Sequence, residues 1–414
     1  MKAEIISIGT ELLLGQSIDT NSAYISRELA RIGIDVYYHT TVGDNNTRLY
    51  ETIKTAMKRS DIVITTGGLG PTIDDVTLDA AARISDRSLI LNANILCLIK
   101  KHFSARHIKM PKINIRQAYI PKGAVWLKNN SGTAPGLIIK KYKKTLICLP
   151  GPDSEMIPML EKKVLMFLKK ISPFRGVILT RTIKTTGLSE SQVHQKVKGF
   201  LKLSGHTTMG IYVKPGQVEL KITSKAENAI IANKHIDAIE QKLRKRLGNL
   251  ICGIDHQGLE ETVLRLLKSR TIAVAESCTG GLISDRITNV PGASKNLILS
   301  VVAYSNESKI NLLRVSAVIL NRYGAVSAQT ARAMAKNIRI ISGADIGLSV
   351  TGIAGPGGGK GAKPVGLVYT AISDKEKTYS KRHFFIGSRK HIKFRYSQAA
   401  LDMARTHIIQ CADS

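Results

Sequence analysis

The chain has 414 residues, enough for two to four domains with conventional hydrophobic cores. Its 43% hydrophobic and 22% charged residues exclude a chain disordered throughout, and its five scattered cysteines (Cys97, Cys148, Cys252, Cys278 and Cys411), with no C-x-x-C pair, argue against a disulfide framework or a zinc ribbon. The formal net charge of +30 brings nucleic acid to mind as a partner, but it divides as +8 over 1–165, +10 over 166–255 and +12 over 256–414, without the focus a dedicated binding arm needs. Seven Phe and one Trp offer few stacking platforms. No apolar run approaches the length of a membrane span, and no basic-then-apolar leader opens the chain, so a cytoplasmic protein without membrane contact is expected.

In chain order, Ala3 to Gly9 reads as a buried strand ending in glycine, and Ser22 to Ile32 carries helical spacing. A second strand, Asp35 to Thr41, precedes a helix around Tyr50 to Arg59, and a third, Asp61 to Thr66, runs into Gly67-Gly-Leu-Gly-Pro71. Such alternation predicts a parallel α/β sheet with ligands at the carboxyl ends of its strands. From Thr180 to Leu247 the pattern changes to a helix near Ser189 to Leu203, strands near Thr208 to Val213 and Gln217 to Ser224, and a basic helix Ala229 to Leu247, a small α+β module. A turn-rich segment, Gly253 to Gly258, leads to a helix Leu259 to Lys268 and a strand Thr271 to Ala275 that open a third domain. The expected domains are therefore 1–165, 166–255 and 256–414.

Two constellations carry chemistry. In the third domain, Ala275-Glu-Ser-Cys-Thr-Gly-Gly281 lies between an apolar strand and the amphipathic helix Leu282 to Thr288. Such a turn can present Ser277 to a ligand, with free helix amides as an oxyanion hole or anion site, although Ser, Thr and Gly serve there equally well as caps. Tyr304 and Lys309 follow another apolar strand, and Ser349-Val-Thr-Gly-Ile-Ala-Gly-Pro-Gly-Gly-Gly359 a third, so three strand ends converge. In the first domain, Thr65 to Asp75 joins a glycine-rich turn to two carboxylates. Glycine amides suit a phosphate and carboxylates suit a divalent cation beside it, while the Asp pair could equally cap the next helix.

AESCTGG, AYSNESK, YGAVSAQT, SVTGIAGPGGG and KPVGLVY, in this order across Leu259 to Ile409, resemble the CinA C-terminal domain of the PncC family. The resemblance implies hydrolysis of nicotinamide mononucleotide to nicotinate mononucleotide and ammonia, in pyridine nucleotide salvage, with no cofactor. It implies Ser277 as nucleophile, Lys309 as base, Tyr304 and Thr351 as hydroxyl partners, and an arginine after the last strand, Arg389; the substrate's phosphate could be held by Arg389 or by the loop through Gly355 and Gly357, and Thr279, Gly280 and Gly281 complete the substrate turn. The residue types fit. An amide is a poor electrophile, and a lysine with a reference pKa near 10.4 becomes a usable base only when burial lowers it. Against these roles stand a solvated Lys309, a Tyr304 that merely packs its ring, and a Cys278 that is a small buried hydrophobe rather than a nucleophile. One departure stands out: Leu299-Ser300 replaces a Gly-Gly common in the family.

Gly9-Thr-Glu-Leu-Leu-Leu-Gly15, Asp19-Thr-Asn21, Val42-Gly-Asp-Asn45, the Thr65 to Asp75 segment, Asn130 to Gly136 and Leu149 to Glu155 resemble the molybdopterin-binding-like N-terminal domain of full-length CinA proteins. A MogA/MoaB-like α/β fold is implied, with hydrolysis of ADP-ribose to AMP and ribose 5-phosphate assisted by Mg²⁺ or Co²⁺. Asp44 and Asp75, with Glu11 and Asp74, are the implied metal ligands, and Gly67, Gly68, Gly70, Ser131 and Gly132 the phosphate cradle. The family often has Pro where this chain has Asp153. The middle segment resembles the KH-like module of the same proteins but has no G-x-x-G clamp between Thr180 and Asn249, so no specific nucleic acid is expected. A homodimer is the expected assembly. The competing reading is a competence-linked or molybdopterin-binding-like protein without significant catalysis.

Overall fold

A computed structural model describes residues 1–172, 176–201 and 206–413. Contacts divide it into two units, Met1–Leu179 with Ser224–His235, and Thr180–Thr223 with Ile236–Ser414.

The first unit is built on a six-stranded sheet of order β2-β1-β3-β6-β5-β4, comprising β1 (Lys2–Ile8), β2 (Asp35–Val42), β3 (Ile62–Thr66), β4 (Val125–Leu127), β5 (Gly136–Lys141) and β6 (Lys144–Leu149). β2, β1, β3 and β6 run parallel, whereas β5 pairs antiparallel with both β6 and β4, so the sheet is mixed rather than parallel throughout. Helices α1 (Thr20–Arg31), α2 (Asn46–Arg59) and α3 (Thr77–Ser85) start where sequence supplies caps for the first two: Asp19 accepts from the Ser22 amide and Asn45 from the Arg48 amide. One core packs Leu49, Ile53 and Ala56 of α2 on one face of the sheet; another packs Ile25 and Leu29 of α1 on the other. β1 and β3 are buried along nearly their whole length, as continuous apolar strands of a covered sheet should be.

The middle module has the sheet order β8-β9-β7-β10, with β7 (Val177–Thr185), β8 (Thr207–Lys214), β9 (Gln217–Ala226) and β10 (Ile251–Ile254), and helices α4 (Glu190–Val197) and α5 (Ala229–Leu247). The expected helix near Ser189 ends earlier than its sequence pattern, passing into a 3-10 turn at Lys198–Phe200; the stretch at Lys202 and Leu203 lies outside the described residues.

The remaining sheet has the order β12-β11-β13-β14-β15, from β11 (Ile272–Glu276), β12 (Leu297–Val302), β13 (Ile346–Gly352), β14 (Leu367–Ser373) and β15 (Thr378–Phe384). Strand β11 pairs in parallel with both β12 and β13, and the last two strands are antiparallel. α6 (Leu259–Leu267), α7 (Leu282–Thr288) and α11 (Arg389–Asp413) cover the face carrying Ile272 and Val274. α8 (Asn306–Asn311), α9 (Ala317–Tyr323) and α10 (Ala328–Ser342) lie on the chain between β12 and β13, and Leu320, Met334 and Ile338 from α9 and α10 pack on the face carrying Ala273 and Ala275. Because β12, β11 and β13 are parallel neighbours, their carboxyl ends share one edge, and the three motif segments meet there.

Candidate active site

Ser277 is the first residue beyond β11. Its amide donates to the Val350 carbonyl (3.1 Å), which extends the pairing with β13 by one step and fixes where the chain turns. Lys309 sits on α8, just beyond the end of β12, and is only 1% exposed; Ser277 is 8% exposed. The Lys309 Nζ lies 3.1 Å from Ser277 Oγ and donates to the Ala303 carbonyl at 2.8 Å, with the Tyr304 carbonyl at 3.3 Å. Burial lowers the lysine's pKa from 10.5, since the charged form is the one that loses water. As a neutral amine it can give its protons to these carbonyls and turn its lone pair to the serine. The solvated-lysine alternative is therefore not the arrangement found.

The turn after Ser277 is held from below by Glu276. This carboxylate is fully buried and accepts from the amides of Ile283 (3.1 Å) and Ser284 (2.9 Å) and from the Ser284 hydroxyl (2.5 Å). Glu276 carries no role that its sequence context predicts, and the start of this helix is expected to offer free amides. Two of those amides are taken by Glu276. Among the described residues the amides of Cys278 and Thr279, in the turn itself, donate to no backbone acceptor, which leaves them available to a ligand oxygen. The Leu299-Ser300 departure acquires a role as well, because Ser300 hydrogen-bonds Ser284 and joins the group around Glu276. Replacing Glu276 by alanine strands one buried and one half-buried N–H group and should lower unfolding free energy by about 2–4 kcal/mol, measured by urea denaturation. A change below about 0.5 kcal/mol would show that the carboxylate does not hold the turn.

The other sequence-predicted residues fall around this pair in different ways. Arg389, at the start of α11, donates to the Gly355 carbonyl (2.5 Å) and to the Tyr304 hydroxyl (3.0 Å), so it ties the glycine loop to the tyrosine. The Tyr304 side chain is exposed rather than packed. Thr351 is buried and its hydroxyl donates to the Ala325 carbonyl at 2.8 Å, an anchor for the loop before α10. The Thr279 hydroxyl is buried without a partner among the described residues. Gly280 and Gly281 have positive φ and Gly357 is exposed. The Lys393 Nζ lies against Gly280, 3.5 Å from where a Cβ would stand, a cation the sequence reading missed because it lies a turn beyond Arg389 on α11. Burial pushes the Cys278 thiol up to about 12, so it is protonated at neutral pH and unsuited to attack.

In the first unit a cleft of about 370 Å³ opens at the ends of β1, β3 and β6, lined among others by Glu11, Asp44, Gly67, Gly68, Gly70 and Asp75. Gly67 (φ 108°) and Gly68 (φ 65°) are required there: a Cβ would lie 2.4 Å from the Ile8 carbonyl oxygen and 2.4 Å from the Thr77 hydroxyl, respectively. Glu155, to which the sequence pattern gives no role, also lines the cleft. Four expected placements differ. Asp74 and Ser131 are exposed and absent from the cleft lining, and Gly132 packs against Glu155 on the wall of a neighbouring pocket. Asp75 spends both oxygens on its own loop, accepting from the Gly70 amide and from the Thr72 amide and hydroxyl. Asp153 lines an adjoining pocket with Asp19 and Asn21. Among the described residues no three of these carboxylates bring ligand atoms within 4.8 Å of one another. Their hard oxygens suit Mg²⁺, but Asp75 fits a loop-holding role better than a ligand's, leaving Glu11 and the free oxygen of Asp44.

A three-layer α/β unit ending in a serine–lysine pair, preceded by a molybdopterin-domain-like sheet, defines a class of multidomain protein. Residues 256–408 match the CinA C-terminal domain, 4–170 a probable molybdopterin binding domain and 180–253 the KH domain of damage-inducible protein CinA. A putative competence-damage inducible protein of Caldicellulosiruptor bescii is 50% identical over 411 residues, covering 99% of this chain and all of that protein. A CinA-like protein of Dictyoglomus thermophilum is 46% identical with the same coverage. The solved CinA structure from Thermoplasma acidophilum, described as of unknown function, is 32% identical, covers 41% of this chain and 99% of its own, and has a TM-score of 0.38. The chain belongs to the CinA family. Among the described residues no helix is long and apolar enough to cross a membrane.

Proposed function

We propose that the third domain is an amidohydrolase that converts nicotinamide mononucleotide to nicotinate mononucleotide and ammonia. The observation that carries this reading is the buried Lys309 amine 3.1 Å from the Ser277 hydroxyl, with its pKa lowered by burial. Ser277 Oγ attacks the carboxamide carbon while Lys309 takes the hydroxyl proton. The oxyanion is received by the Cys278 and Thr279 amides, and Lys309 returns the proton to the leaving nitrogen as the C–N bond breaks. Water, deprotonated by the same amine, then hydrolyses the acyl-serine ester. Arg389 and Lys393 supply positive charge for the substrate's phosphate. The test is ammonia release from nicotinamide mononucleotide by the full chain, with free nicotinamide as control. Release from the nucleotide alone supports the reading, and no release from either ends it.

A second activity has its own supporting observation, the cleft in which backbone glycines meet Glu11 and Asp44. Hydrolysis of the ADP-ribose pyrophosphate needs neutralised phosphoryl oxygens, and a divalent ion held by Glu11 and Asp44 would supply that charge. Asp75, by accepting from Gly70 and Thr72, keeps the glycine loop open for phosphate. The Ser277→Ala chain given ADP-ribose with Mg²⁺ or Co²⁺ should release AMP and stop on chelation. Absence of AMP with either ion would leave this domain a binding module.

A further inference from the structure

A second group of chemistry-bearing side chains lies near the C-terminal end of α11. His407 and Cys411 are four residues apart on that helix and so share a face, and Asp374 comes from the turn between β14 and β15. The His407 Nε2 lies 2.9 Å from Asp374 Oδ2. The Cys411 sulfur lies 3.7 Å from that nitrogen and 3.9 Å from that oxygen. Tetrahedral zinc with ordinary Zn–S, Zn–N and Zn–O bonds has ligand-to-ligand edges of about 3.4–3.6 Å, so each side of this triangle is within about half an ångström of the required length.

The surrounding groups prepare the same three atoms. Asp374 Oδ1 accepts from the amides of Glu376 (2.8 Å) and Lys377 (2.7 Å), which fixes the carboxylate and leaves Oδ2 facing the histidine and the thiol. The Tyr379 hydroxyl stands 3.4 Å from His407 Nδ1, where it can accept that N–H and leave the Nε2 lone pair for a metal. His407 is 1% exposed, so its ring is held among protein groups and not by water. Cys411 is half-buried, giving an ion a way in and room for a fourth ligand. Lys377 and Arg270 are the cations acting on His407, and they oppose a metal; the Asp374 carboxylate and a Cys411 thiolate supply two compensating negative charges.

We propose that Asp374, His407 and Cys411 bind a thiophilic divalent cation of the zinc class, completed by water, which pins the end of α11 to the β14–β15 turn. Binding forms three metal–protein bonds and releases the thiol proton to solvent, with no change of oxidation state. The site involves neither Ser277 nor the N-terminal carboxylates, so it stands whatever those do.

Co²⁺ titration of the full chain, after chelator treatment, tests it. About one equivalent should produce a thiolate-to-cobalt charge-transfer band, which Zn²⁺ displaces and which the cysteine-free N-terminal cleft cannot give. In Cys411→Ser the band should vanish, and in Asp374→Asn the affinity should fall roughly tenfold or more, while Glu11→Gln leaves both unchanged. Zn²⁺ should raise the Tm of the unmodified chain and not that of Cys411→Ser. No charge-transfer band at saturating Co²⁺, or one that survives in Cys411→Ser, would overturn the proposal and leave a plain His407–Asp374 hydrogen bond.

Discussion

Replacing Ser277 by alanine should reduce ammonia release from nicotinamide mononucleotide by roughly 10³-fold or more, with the fold intact. The size follows from what is removed: without Oγ no acyl-enzyme forms, and the residual rate comes only from binding and from donors to the oxyanion. Stability should hardly change, because the Ser277 amide still donates to Val350 and Glu276 still holds the amides of Ile283 and Ser284. Removing a small hydroxyl relieves Lys309 of one contact and leaves its bonds to the Ala303 and Tyr304 carbonyls. Circular dichroism and Tm should therefore match the parent while turnover collapses. Turnover within tenfold of the parent would sink the nucleophile assignment, and Cys278 could not rescue it while its thiol stays protonated at neutral pH.

The strands and their edge were legible because local pattern and global topology agree here. β1, β3 and β11 are short apolar runs closed by glycine or small residues, and parallel α/β folds place such ends together. The antiparallel β4, β5, β14 and β15 were less legible, since alternation says nothing about direction. Within the site, the Ser277 turn could be located from its glycines, but the burial of Lys309 could not. A lysine four residues into a Ser-Asn-Glu-Ser-Lys stretch looks solvated, and only the packing of α8 takes it out of water. Glu276 was invisible for a related reason: its acceptors' partners lie seven and eight residues ahead, across a turn whose path the sequence does not specify. The Asp75 assignment shows the converse. Carboxylate beside glycines reads as a metal ligand, yet its geometry makes it the clasp of its own loop.

Substituting methionine for Lys309 should cost about as much activity as losing the serine, since the two groups act as one unit and their effects should not add in the double variant. The pH dependence separates this role from a structural one. Burial lowers the Lys309 pKa, so the folded chain favours the neutral amine, and activity should rise with pH as that lowered pKa is crossed, a limb that begins below 10.5. The sign for stability is the same. Between the folded and unfolded pKa values the unfolded chain binds the extra proton, so unfolding free energy increases with pH across that window and the contribution is complete only above 10.5. In Lys309→Met the proton-linked part of that slope should disappear along with the activity. A lysine serving only to brace the Ala303 carbonyl would lose stability on substitution without moving the activity limb of the variants that retain it. Measuring both profiles, rate and denaturation midpoint against pH, in the parent and in Lys309→Met decides between a base and a brace. A residual activity in Lys309→Met that keeps the parent's rising limb would remove Lys309 from the proton transfer.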